Sequence, residues 1–88
     1  MKNLHAVEAM HIFLKDKDAS RYDIVFRYLD MDDDKYESEE YDDPYNAVFR
    51  YNHLKRVAPD TEGLSLFIWD AEEQEYHLFL GEKPEGLL

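Results

Sequence analysis

Nine carboxylates crowded into fourteen positions are the chemically most conspicuous residues of this chain. Asp30 to Asp43 read DMDDDKYESEEYDD, in which Asp30, Asp32, Asp33, Asp34, Glu37, Glu39, Glu40, Asp42 and Asp43 face a single cation, Lys35. The stretch supplies −8 of a formal net charge of −11. Charge at this density steers basic proteins toward the surface and disfavours DNA, RNA and anionic membranes as direct ligands. As a helix the acids would fall about 2.3 Å apart along the axis, and as an extended chain about 5 Å apart; both compare with phosphate spacings in nucleic acid. A regular helix is disfavoured, because Asp30/Asp34 and Asp33/Glu37 would be like-charged neighbours one turn apart. Tyr36 and Tyr41 interrupt the acids and supply aromatic surface for anchoring a partner.

Other chemistry finds little support. Asp30-x-Asp32-x-Asp34 matches the opening ligands of an EF-hand calcium loop, but Lys35 stands where the turn glycine belongs and Tyr41 where the bidentate glutamate belongs. Weak, nonselective cation association is the expectation there, and no cofactor is expected. His5, His11, His53 and His77 follow no metal-ligand spacing, Ser20, Ser38 and Ser65 sit in no nucleophile elbow, and there is no glycine-rich phosphate loop. A general acid needs a buried, perturbed carboxyl, whereas this run has the composition of a solvated segment. With no cysteine, disulfides and thiolate chemistry are also excluded. The chain is therefore not expected to be an enzyme.

The expected function is that of an acidic inhibitor imitating nucleic acid, with the nine acids standing in for phosphates and Tyr36 and Tyr41 as anchors. Its partner would be a basic, nucleic-acid-binding protein of a defence or regulatory system. Two alternatives remain open. One is an antitoxin or immunity protein clamping a basic toxin. The other is a protein-interaction module working through an apolar hairpin face that includes Phe67, Trp69 and Phe79. The competing reading, a solvated segment that keeps the chain soluble, is the usual one for an acidic run, but the charge density here is extreme for so short a chain. A second acidic cluster, Asp70, Glu72, Glu73 and Glu75, would extend the negative surface if the fold set it beside the first.

The elements that must position these residues follow from periodicity. Asn3 can cap a helix over residues 4–15, where Ala6, Val7, Met10, Phe13 and Leu14 recur at helical spacing. Tyr22, Ile24, Phe26 and Tyr28 alternate and predict a strand over 22–29. Asp43-Pro44 opens a helix over 44–57 that Pro59 terminates, with Arg50, His53, Lys55 and Arg56 as its cations. Residues 64–69 and 75–80 form a hairpin, with Leu64, Leu66 and Ile68 opposite Tyr76, Leu78 and Leu80 on one face and Phe67, Trp69 and Phe79 on the other. YDIVFRY at 22–28 and YNAVFRY at 45–51 agree at five of seven positions. The two copies are nevertheless assigned different secondary structure. With 88 residues and 44% hydrophobics, one small core is the limit. The expected architecture is α+β: two helices packed on an antiparallel sheet of three, possibly four, strands, in one domain over 1–82 with a loose tail at 83–88. No segment is long and apolar enough to span a membrane, and a cytoplasmic location is the expectation.

Overall fold

The computed structural model describes residues 1–87. The order is α1 (Leu4–Leu14), a short 3₁₀ turn (Ala19–Arg21), β1 (Tyr22–Asp30), β2 (Lys35–Tyr41), α2 (Pro44–Val57), β3 (Ser65–Asp70) and β4 (Glu75–Gly81). The strands form one antiparallel sheet in the order β2-β1-β3-β4. Both helices lie on one face of it, so the chain is α+β, and its 17 Å shortest dimension is that of a helix layer on a sheet.

Alternation within β1 decides which side chains meet the helices. Ile24 and Phe26 join Leu66 and Ile68 of β3 against Ala6, Val7 and Met10 of α1 and Ala47, Val48 and Tyr51 of α2. Phe26, Leu66, Ile68 and Met10 are completely buried. The helical spacing of the apolar residues thus converges on the period-2 face of the strands, and this shared burial is the main stabilising contact between layers.

Several local expectations are corrected. Asn3 makes no side-chain capping hydrogen bond, although its carbonyl accepts from the Ala6 N–H at 3.0 Å. Its Nδ2 instead donates to Asn52 Oδ1 at 2.7 Å, while Asn52 Nδ2 donates to the Lys2 carbonyl, also at 2.7 Å, tying the start of α1 to α2. In the C-terminal hairpin the register shifts between Leu66 and Phe67, so that Leu66 faces Leu80 but Phe67 faces Leu78, Ile68 faces His77 and Trp69 faces Tyr76. The extra residue is Phe79. This bulge turns His77 and Phe79 toward the helices, where both pack on Phe13, and leaves Tyr76 and Leu78 with Phe67 and Trp69 on the opposite face.

The YxxVFRY resemblance carries no structural repeat. Phe26 is fully buried in a strand, whereas its counterpart Phe49 is 58% exposed on a helix. A different repeat organises the molecule. Advancing 40 positions carries Asp30 onto Asp70 and Tyr36 onto Tyr76, and advancing 41 carries Ala6-Val7 onto Ala47-Val48. Each half is helix, strand, turn, strand. The Phe26–Leu66 pair joins the two central strands, and the register on either side of it is that of a pseudo-two-fold axis through the sheet.

The expected loose tail falls on 83–88, of which Leu88 lies outside the described residues. After β4, Pro84 is buried and Glu85 lies within hydrogen-bond reach of Tyr36 at 3.4 Å, so the chain beyond β4 returns across the sheet face away from the helices.

Candidate acidic interface

The acidic stretch is neither helix nor open loop: it is the hairpin joining β1 to β2, and β2 is an edge strand. At the end of β1, Asp30 Oδ1 accepts hydrogen bonds from the backbone N–H groups of Asp32 at 3.0 Å and Asp33 at 3.4 Å. The turn closes at Asp34, whose φ of 52° lies in the left-handed region that Asp tolerates better than most residues. Asp30 therefore works on the turn itself. Met31, Asp32, Asp33 and Asp34 are exposed at its tip.

Along β2, pairing with β1 sorts the remaining side chains by face. Glu37, Glu39 and Tyr41 oppose Tyr28, Phe26 and Ile24 and point to the helix side; Tyr36, Ser38 and Glu40 point the other way. Glu39 belongs to the scaffold. Arg50 of α2 grips it with two bonds, Nε to Oε1 at 2.9 Å and Nη2 to Oε2 at 3.1 Å, and the Tyr41 hydroxyl donates to Oε1 at 2.6 Å. Burial would raise the Glu39 pKa, but these bonds outweigh it and hold the carboxyl below its ordinary value. Burial and the Glu39 charge push the Tyr41 phenol up to about 12. Glu37 lies 3.5 Å from Lys35. Tyr36 stacks beneath the Arg27 guanidinium, 4.5 Å from the ring centre. Asp42 is exposed, and Asp43 caps α2 with its carbonyl, which accepts from the Ala47 N–H at 3.2 Å.

The structure thus brings Asp30, Asp32, Asp33 and Asp34 together at one end of the hairpin and sets Glu40, Asp42 and Asp43 toward the other, about 20 Å away along the strand. Of the nine acids, only Glu37 and Glu39 enter ion pairs among the described residues. Tyr36 and Tyr41 sit on opposite faces of the edge strand.

The second acidic cluster is not beside the first. Asp70 pairs with Tyr22, at the start of β1, whereas Asp30 ends that strand, so the two tips lie at opposite ends of the sheet. Asp70 repeats the Asp30 turn device, its Oδ1 accepting from the N–H groups of Glu72 and Glu73, both at 3.1 Å. Unlike Asp30 it is also bound by an arginine, Arg21, through two bonds of 2.9 Å. That pairing holds the Asp70 carboxyl down at about 2. Arg21 also reaches Glu72 and Glu73, so this cluster is partly neutralised from within.

Two acidic sets, Asp30/Asp33/Glu37 and Asp70/Glu75/His77, bring potential ligand atoms within 4.8 Å of one another. Three side chains supply half or less of the six to eight oxygens that calcium takes, which fits weak cation association only.

The roles of Arg21, as the clamp on Asp70, and of Arg27, stacked on Tyr36, escape a reading of the chain by spacing, because both depend on strand register. The Asp30 turn did leave a signal: its match to the Asp70 turn 40 positions later. Among the described residues no helix is long and apolar enough to cross a membrane. No family model, curated protein or solved structure matches the chain.

Proposed function

We propose that this protein is a stoichiometric inhibitor that imitates the nucleic-acid backbone and occludes the binding groove of a basic, DNA-acting protein. The observation that carries this reading is the edge hairpin itself: Asp32, Asp33, Asp34, Glu40 and Asp42 are exposed and make no ion pair among the described residues. Unneutralised charge raised on a projecting element steers a basic partner and accelerates encounter. Because the hairpin is already folded by its turn and its ladder to β1, binding need not first order it, which lowers the entropic cost of association. Glu39 and Asp30 act indirectly, by fixing strand and turn. Tyr36 and Tyr41 flank the edge from its two faces and add apolar contact where a cleft straddles it.

Capture from a nuclease-treated lysate tests this. The immobilised chain is expected to retain a basic DNA-binding protein that excess duplex DNA releases, and the variant with Asp32, Asp33, Asp34, Glu40 and Asp42 changed to their amides should retain at least tenfold less. Equal retention by that variant would refute the mimicry.

The competing apolar module draws support from Trp69, Tyr76 and Leu78 sharing the face away from the helices, with Leu78 40% exposed. If that face binds the partner, Trp69→Ala abolishes capture while acid neutralisation changes only its salt dependence. A single tight partner that duplex DNA fails to release would instead mark an immunity protein.

A further inference from the structure

The outer surface of α2 runs against the character of the rest of the molecule. Tyr45 and Phe49, one turn apart, are 47% and 58% exposed. With Met1, Lys2, Lys55 and Arg56 they line an open cleft of about 440 Å³. Lys2, Lys55 and Arg56 make no ion pair among the described residues, although the chain holds 21 acids to 10 lysines and arginines. Their position in the last turn of α2 accounts for Lys55 and Arg56 as favourable to the helix dipole, but not for Lys2 or for the bare aromatic surface between them. An apolar floor with a cationic rim fits a ligand that offers one apolar side chain among carboxylates.

The chain itself carries such an element. At the tip of the β1–β2 hairpin, Met31 is 59% exposed and is followed directly by Asp32, Asp33 and Asp34. From this complementarity we infer that the cleft on α2 receives the hairpin tip of a second copy of the chain, Met31 entering between Tyr45 and Phe49 while the three aspartates meet Lys2, Lys55 and Arg56. Methionine suits such a floor, since its flexible thioether adapts to aromatic surfaces. Tip and cleft are different surfaces, so the contact is heterologous and leaves a free tip and a free cleft for further copies. It is also small, and belongs with weak, concentration-dependent contacts. The repulsion between two copies at −11 does not forbid it, because charges further apart than about 8 Å are largely screened at physiological salt. This inference stands apart from the proposed inhibition, as it needs no foreign partner.

Sedimentation velocity at physiological salt tests it, from about 10 µM to about 1 mM, the range of such contacts. The wild type is expected to rise above its 10.6 kDa monomer mass as concentration increases. Lys55→Glu/Arg56→Glu and Asp32→Lys/Asp33→Lys should each stay monomeric alone, and an equimolar mixture of the two should associate again, since each tip then finds a cleft of opposite charge. The tip variant makes the net charge less negative, so its loss of association would not come from general repulsion. Met31→Ser, which leaves charge untouched, should weaken association about tenfold or more. Far-UV circular dichroism verifies that each variant is folded. A wild type that stays monomeric, folded variants that associate as it does, or a mixture that fails to recover association would each overturn the inference. So would binding of an acidic, methionine-containing peptide in the cleft without self-association, which would assign the cleft to a foreign acidic segment.

Discussion

Ser65 shows how little of a residue's role its chemistry announces. A serine in a strand ordinarily keeps its hydroxyl wet or bonded, yet Ser65 is completely buried and its Oγ has no partner among the described residues. An unsatisfied buried hydroxyl is a cost rather than a contribution. Ser65→Ala is therefore expected to stabilise the fold by about 0.5–1 kcal/mol in urea denaturation; a clear loss of stability would show that the hydroxyl is satisfied after all. Asp70 is the opposite case, a carboxylate fully used by Arg21 and by two backbone N–H groups of its own turn. Its folded pKa of about 2 lies below the ~3.9 of an unfolded aspartate, so its contribution is complete above about pH 4 and is lost as pH falls toward 2. Stability measured across that window should fall with acid in the wild type. Asp70→Asn should start lower and fall less over the same range, and identical slopes would remove Asp70 as the cause.

At the scale of elements, the two hairpins use one turn chemistry and differ in what surrounds it. Asp30 and Asp70 each accept hydrogen bonds from the second and third residues that follow, and each turn ends with a left-handed residue, Asp34 or Gln74. β4 ends differently, at Gly81, whose φ is +83° and against which the Leu64 carbonyl is closely packed while it accepts the Glu82 N–H at 2.7 Å. A Cβ there would overlap that carbonyl as well as strain the backbone, and backbone atoms cannot rotate aside as a side chain can. Gly81→Ala is expected to cost about 2–4 kcal/mol. Thermal melting would reveal it, and an unchanged midpoint would mean that the Leu64–Glu82 link is dispensable. In the sequence the second helix and the core face of β1 were legible because each combines a sharp period with a turn or breaker residue at its end, and the last strand was legible in extent but not in its faces, which the bulge at Phe79 exchanges. β2 was not. Lys35 to Tyr41 holds three glutamates and a serine, so it has almost no apolar alternation to betray a strand; its pairing with β1 and the turn at Asp30 create it.

For the molecule as a whole, the proposed partner binding and the protection of the sheet edge fall to different acids, which mutation can separate. An exposed edge strand is a template for aggregation, and charged side chains are a common protection. Glu37 and Glu40 sit on that edge, whereas Asp32, Asp33 and Asp34 lie beyond the ladder at the tip. Glu37→Gln/Glu40→Gln should therefore increase concentration-dependent aggregation, followed by light scattering, while the triple amide variant at the tip leaves aggregation near the wild-type level and weakens partner capture. Aggregation produced equally by both sets would assign the acids to general solubility alone. The pseudo-two-fold arrangement sharpens the contrast between the halves. One tip is clamped by Arg21, whereas among the described residues the corresponding tip, Asp30 to Asp34, enters no ion pair with any cation.

The sequence by itself determined the class of fold and the dense negative charge of residues 30–43, because composition and periodicity are local properties of the chain. Only the tertiary structure decided which acids are free. Glu39 and Asp70 are indistinguishable from their neighbours in the sequence, and they are withdrawn by arginines 11 and 49 positions away. The flanking residues had already separated the two YxxVFRY copies, the second opening on Asp43-Pro44, and the first is a strand and the second a helix. The repeat that matters, at 40 positions, became visible through the sheet, because a turn is defined by hydrogen bonds from one aspartate rather than by the identity of the residues it joins.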